Sequence, residues 1–263
     1  MRFAIIDAHA HCGRQDRYTR QDFEDCYTEV KGSDIVGVVM FPPVAEIYDR
    51  YDPDFEDTPD WQRTRQRANA YLLRLEGLGL EVFPYFFIWN DFAVDQLTDS
   101  HCGIKWHRHA DEPRYHYEDP RCKGAIDEIR RRNMPVCLEE EWDRTLYFVN
   151  ELAPDMKIII PHCGLLNGGF DKFCGEGIWE RPNIFTDTAL APSRVIADYV
   201  KHYGHTRIMY GSDFPFGDPV REYRKIMALD LNAGEKEAIL RGNIQAVLSE
   251  VNQPAGDGAA FSQ

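Results

Sequence analysis

His9 and His11 stand one residue apart at the end of the chain's first apolar run, Phe3-Ala4-Ile5-Ile6-Asp7-Ala8. Side chains alternate along a strand with a period of two, so histidines at i and i+2 leave the same face. Two imidazoles placed that way can share one ion, and imidazole is the commonest metal-ligating side chain. Taken alone the pair could be two ordinary histidines in a strand-end turn. Several later apolar runs, however, also finish in residues that bind metals or move protons.

The run Met156-Lys157-Ile158-Ile159-Ile160-Pro161 leads into His162-Cys163-Gly164. The run Arg207-Ile208-Met209-Tyr210-Gly211-Ser212 is followed directly by Asp213. Carboxylates are rarely buried unless paired or metal-bound, although an aspartate there could also cap a helix. Met134-Pro135-Val136-Cys137-Leu138 ends in three acids, Glu139-Glu140-Glu141. Alternation puts Glu139 and Glu141 on one face, and negative charge is also favourable at the start of a helix. In Gly103-Ile104-Lys105-Trp106-His107-Arg108-His109, alternation brings Lys105, His107 and His109 to one side. A lysine facing such a pocket could position an anionic substrate, or bridge two metals once carbamylated; it could equally snorkel to solvent.

The elements that must position these residues alternate in type. Strands are expected near 3–8, 34–41, 80–88, 102–107, 134–139, 156–161, 183–187 and 207–211. Amphipathic helical segments fall between them, among them 59–78, 119–132, 143–152, 192–203 and 234–250. Eight β-then-α units in this length predict an α/β fold of the (β/α)8 TIM-barrel type, a single domain over 1–251, with its site at the C-terminal ends of the strands. An open doubly wound sheet is the alternative, but the first strand lacks the glycine-rich turn of a dinucleotide site. The acidic, aromatic stretch 42–59 falls where a βα loop would overhang the mouth, as a lid or a plain surface loop. Residues 252–263 read as a disordered tail.

With 263 residues, 43% of them hydrophobic, the chain can build a sizeable core. A formal net charge of −14 opposes binding to nucleic acid. No apolar stretch has the length of a membrane span, and no signal-peptide pattern opens the sequence. Seven cysteines without paired spacing suit a reduced, cytoplasmic protein.

The ordered set of His9-x-His11, His162 and Gly211-Ser212-Asp213-Phe214-Pro215 resembles the amidohydrolase superfamily, in its branch of metal-dependent barrel hydrolases and decarboxylases. Gly103-Ile104-Lys105-Trp106-His107 and Ile239-Leu240-Arg241-Gly242-Asn243 extend the resemblance over about 3–248. It implies a divalent metal, zinc in the first place, on His9 and His11, with Asp213 as ligand and general base. It implies that His162 ligates the metal or polarises the substrate carbonyl. It also implies a ligand on the fifth strand, where the family's Val-His-Thr-Gly is replaced by Leu138-Glu139-Glu140-Glu141. Glutamate at 139 can still ligate zinc, and it shifts preference towards harder ions such as Mn or Mg; a second ion is a further option.

The activity expected from these residues is hydrolysis of a small carboxylate-bearing amide, lactone or ring-cleavage product by an activated water, with Asp213 and His162 as catalytic residues. Lys105, His107, Arg14 and Trp89 are candidates for substrate contact. Non-oxidative decarboxylation or hydration on the same site, and a non-catalytic ligand-binding barrel, are the alternatives. A homodimer through surface helices is the assembly the family suggests.

Overall fold

Near-continuous apolar runs such as Ile35-Val36-Gly37-Val38-Val39-Met40-Phe41 and Ile158-Ile159-Ile160 are what strands buried on both faces require. The computed structural model, which describes residues 3–14, 20–42, 44–52 and 54–253, assembles them into one parallel sheet of eight strands. These are β1 (Ile5–His11), β2 (Ile35–Phe41), β3 (Glu81–Phe87), β4 (Gly103–His107), β5 (Val136–Glu139), β6 (Ile158–Ile160), β7 (Ile184–Asp187) and β8 (Ile208–Met209). Their spatial order follows the chain. The last strand returns to the first: Ala8 N donates to Tyr210 O (2.9 Å), His11 N to Phe214 O (2.7 Å), and Ala10 pairs with Phe214. Sequential order plus closure is the (β/α)8 barrel, and the doubly wound alternative is excluded.

Helices fill the connections. They are α1 (Phe23–Val30), α2 (Pro59–Leu72), α3 (Pro120–Arg131), α4 (Trp142–Tyr147), α5 (Phe170–Gly175), α6 (Ser193–Tyr203), α7 (Pro219–Ala228), α8 (Ala233–Glu237) and α9 (Asn243–Ser249). Three of them begin with one device: Thr58, Asp119 and Asp218 cap the first turn through their side chains, and proline follows at once. The helix expected over 59–78 stops at Leu72, and positive φ throughout the Gly77-Leu78-Gly79 turn rules out helix at the end of the expected range. Ile6, Ala8, Val39, Phe41, Tyr85, Cys137, Ile159 and Met209 form a cluster of their own, joined by Ile244 and Val247 of α9. The larger core packs the strands against the helices. The backbone and side-chain amides of Asn252 bond Arg132 O and Asp99 O; the rest of the expected tail, 254–263, lies outside the described residues. All seven cysteines are free. No helix among the described residues is long and apolar enough to cross a membrane.

Candidate metal centre and active site

β1 does not run regularly to its end. Its register against β2 shifts between Asp7 and Ala10, the signature of a bulge, and bulges re-aim side chains next to functional sites. Across the shift, His9 and His11 both face Asp213. Asp213 Oδ1 lies 3.3 Å from His9 Nε2 and 3.4 Å from His11 Nε2. Gly211 allows this approach, since a Cβ there would stand 2.9 Å from His9 Cβ. Asp213 itself has φ 58°, and His162 and Cys163 have φ 58° and 51°. Left-handed backbone at non-glycine residues is costly and concentrates at functional sites. Here it falls on two of the five expected ligands.

The proton positions follow from the partners. His9 Nδ1 bonds Asp187 Oδ2 at 2.8 Å, and His162 Nδ1 bonds the carbonyl of Ala189 at 2.9 Å. A carbonyl and a carboxylate only accept, so both Nδ1 atoms carry hydrogen and each Nε2 is left for another ligand. His162 Nε2 looks towards Glu139 Oε2 at 3.8 Å. Glu139 also receives Lys105 Nζ on Oε2 at 3.0 Å, and its Oε1 faces His107 Nε2 (3.5 Å) and His109 Nε2 (2.9 Å). Lys105 is fully buried beneath this group, 3.5 Å from His9 Nε2 and 4.4 Å from the centre of the Phe41 ring.

The five expected ligands therefore gather as two triads sharing His9: His9, His11 and Asp213, and His9, Glu139 and His162. Two observations test whether they fit a cation. First, two ligand atoms bound tetrahedrally at about 2.0–2.1 Å stand about 3.3–3.4 Å apart. That is the spacing of Asp213 from both imidazoles, and it is longer than a good hydrogen bond. Second, burial alone would raise the carboxyls of Asp213, Asp187 and Glu139, yet their imidazole and ammonium neighbours hold all three below the ordinary range. Three anions face one cation, Lys105, whose charge Glu139 stabilises against burial. Cys137 beside it is a neutral thiol, its pKa pushed by burial up to about 12. The remaining two negative charges can be balanced by protons on His9 and His162. The pKa of both is raised against burial by these carboxylates, that of His162 to about 9. One divalent ion would serve equally. His11, lowered by burial to about 4, is neutral and can offer a lone pair. The residues fit a divalent metal.

This group opens into a cavity of about 360 Å³ lined by His11, Arg50, Tyr51, His107, His109, Glu139, Asp213 and the apolar rim Leu166, Leu190 and Phe216. Arg50 and Tyr51 come from the 42–59 stretch, which does overhang the mouth; Pro43 and Pro53 in it lie outside the described residues. A larger cavity of about 610 Å³ lies alongside and shares Asp111 and Glu112 with the first, but it contains none of the five expected ligands. Trp89 lines that second cavity, buried and stacked on Tyr48 at 4.2 Å. Lys105 and His107 belong to the Glu139 group, and the side chain of Arg14 lies outside the described residues. The acidic run divides: Glu139 points in, Glu140 pairs with Arg108 and Tyr117, and Glu141 leaves the strand to start α4. Sequence reasoning missed Asp187, although it ends β7 as Asp213 follows β8. It also missed Glu112, which a loop carries to His109.

Residues 139–249 match the family model described as amidohydrolase. Their span includes Glu139, His162, Asp187 and Asp213, so the resemblance seen in the sequence is borne out there. No curated protein matches the chain. Among solved structures, the chain is similar to a 5-carboxyvanillate decarboxylase from Sphingomonas paucimobilis, with TM-score 0.72 and 11% identity over 94% of this chain and 99% of that one. It is also similar to a protein assigned as a 2-pyrone-4,6-dicarboxylic acid hydrolase from Pseudomonas putida, with TM-score 0.67 and 16% identity over 95% and 98%. A third is a dihydroxybenzoic acid decarboxylase from a Polaromonas species with bound manganese, with TM-score 0.67 and 12% identity over 95% and 98%. At these identities the likeness shows a shared fold.

Proposed function

We propose that this chain, matching the amidohydrolase family over 139–249, is a metal-dependent hydrolase of small carboxylate-bearing amides, lactones or ring-cleavage products. The observation that carries the reading is Asp213, held in a left-handed conformation with one oxygen at ligand spacing from both His9 and His11 and lining the 360 Å³ cavity. His9, His11, Asp213 and His162 would hold the ion, with Glu139 completing the set. Bound there, a divalent ion supplies an acidified water and a polarised carbonyl.

The chain's own residues do the rest. Asp213, already ionised, accepts the water's proton and returns it to the leaving group. His162, its Nδ1–H anchored on Ala189 O, presents Nε2 to the reacting carbonyl or to the ion. Arg50 at the rim offers positive charge to a substrate carboxylate, while Leu166, Leu190 and Phe216 exclude water from its apolar body. Lys105 is closed off beneath Glu139 and acts on the site through its charge.

Decarboxylation of an aromatic acid on the same residues is the second reading, favoured by the decarboxylases among the similar structures. The deciding experiment offers the metal-loaded protein a panel of lactone carboxylates and of hydroxylated aromatic acids. Ring opening without carbon dioxide supports hydrolysis, and carbon dioxide release supports decarboxylation. Asp213→Asn is expected to lower turnover by about 10²–10⁴-fold with an unchanged melting temperature. Full activity in that variant sinks the assignment of Asp213.

A further inference from the structure

We propose that the mouth of the barrel holds a second divalent cation, on His107, His109 and Glu139. The site depends on the reading above only through Glu139, which the two ions would share.

β4 repeats the device of β1. His107 ends the strand, His109 follows two residues on, and their rings lie 4.8 Å apart. Both turn Nε2 to Glu139 Oε1, and the three ligand atoms lie within 4.8 Å of one another. Glu139 divides its oxygens between two neighbourhoods. Oε2 serves Lys105 and His162, whereas Oε1 faces the two histidines of β4. A carboxylate split in this way is suited to bridge two cations.

His107 is poorly satisfied as a hydrogen-bonding group. It is buried, its Nδ1 has no hydrogen-bond partner among the described residues, and its Nε2 stands 3.5 Å from Glu139. That distance is long for a hydrogen bond and close to the spacing of two ligand atoms on one ion. His109 has the carboxylate backing of a ligating imidazole. Its Nδ1 lies 3.3 Å from Glu112 Oε1, as the Nδ1 of His9 lies against Asp187. Glu112 is held for this by Tyr48, Arg50 and the His109 amide. Arg50 Nη2 approaches the same Nδ1 at 2.9 Å and asks it for a lone pair. An ion on Nε2 would settle the competition in favour of Nδ1–H on Glu112. His109 is one-third exposed and both histidines line the 360 Å³ cavity, so the remaining coordination positions would face a substrate carboxylate. Two imidazoles and a carboxylate suit zinc or manganese.

The test is equilibrium dialysis of chelator-stripped protein against Mn(II), with the bound ions counted by elemental analysis. Electron paramagnetic resonance then shows whether they are coupled. Wild type is expected to bind two ions per chain with a coupled spectrum, and His109→Gln one ion with an isolated-ion spectrum and native circular dichroism. One ion in wild type and one in His109→Gln overturns the second site and leaves the ion at His9 standing. Two in both places the second ion elsewhere and overturns this assignment. None in either removes both sites. One ion in wild type that His109→Gln abolishes keeps this site and removes the one at His9.

Discussion

Asp187 decides which nitrogen of His9 faces Asp213. Its Oδ1 accepts from the amides of His162 (2.9 Å) and Ala189 (3.1 Å), which leaves Oδ2 for His9 Nδ1 at 2.8 Å. In Asp187→Asn the oxygen would stay on the two amides and the new NH2 would point at His9. His9 would then have to accept on Nδ1 and carry its proton on Nε2, where no lone pair would remain for an ion. Partners behind a ligating histidine are typically worth about 10–100-fold in metal affinity. Asp187→Asn is therefore expected to weaken Mn(II) or Zn(II) binding by that factor, with little change in melting of the stripped protein. Equal affinity by calorimetric titration would show that Asp187 does not orient His9. The candidate site was legible in the sequence wherever an expected ligand ends a long apolar run, as His9, His11, His162 and Asp213 do. Asp187 ends a short run diluted by Thr186, and Glu112 and Arg50 arrive on loops. No periodicity announces such residues, because tertiary packing alone sets their approach.

At the scale of elements, one buried side chain ties the stretch over the mouth to two neighbouring elements. Arg65, buried on α2, donates to Ile47 O (2.8 Å) and pairs with Asp57 (2.9 Å) and with Asp91 beyond β3. It thereby fixes the loop that carries Tyr48, Arg50 and Tyr51 to the cavity. Replacing it with methionine keeps much of the stem packing but leaves Asp57 and Asp91 without their shared cation. Breaking a buried pair costs about 3–5 kcal/mol. Both carboxylates keep some solvent, so Arg65→Met belongs at the lower end, about 3 kcal/mol. The loosened loop should raise KM more than it lowers kcat. Urea melts and steady-state kinetics check the two halves, and a KM equal to wild type would detach the loop from the site. The strands were readable within a few residues because burial on both faces writes continuous apolar runs. The bulge in β1 was not readable: it depends on how Ala8 and His11 meet the chain after β8, a pairing across about 200 residues.

For the molecule as a whole, the barrel gathers the candidate ligands at one end of its strands and leaves the other end to packing. His101 sits just before β4, at the end opposite the site, with Nδ1 3.1 Å from the amide of Thr98 and its ring edge-on to Phe86. Burial, aided by the charge of Arg132, pushes its pKa down to about 4. An unfolded histidine takes its proton near pH 6.5. Between those values the unfolded chain binds a proton that the folded chain refuses, so stability rises with pH across this window. The contribution of His101 is thus complete above pH 6.5 and is lost as pH falls through 4. It amounts to an effect on the order of 3 kcal/mol. His11 and His107, also lowered by burial, act with the same sign, so the wild-type slope alone cannot isolate His101. The comparison with His101→Gln can, because that variant leaves the site histidines in place. Urea midpoints of the metal-stripped proteins should converge as pH falls from 7 to 4, wild type losing more than the variant. Parallel curves would mean that His101 titrates in the folded protein as it does in the unfolded chain, and that acid lability resides in the mouth of the barrel rather than at its base.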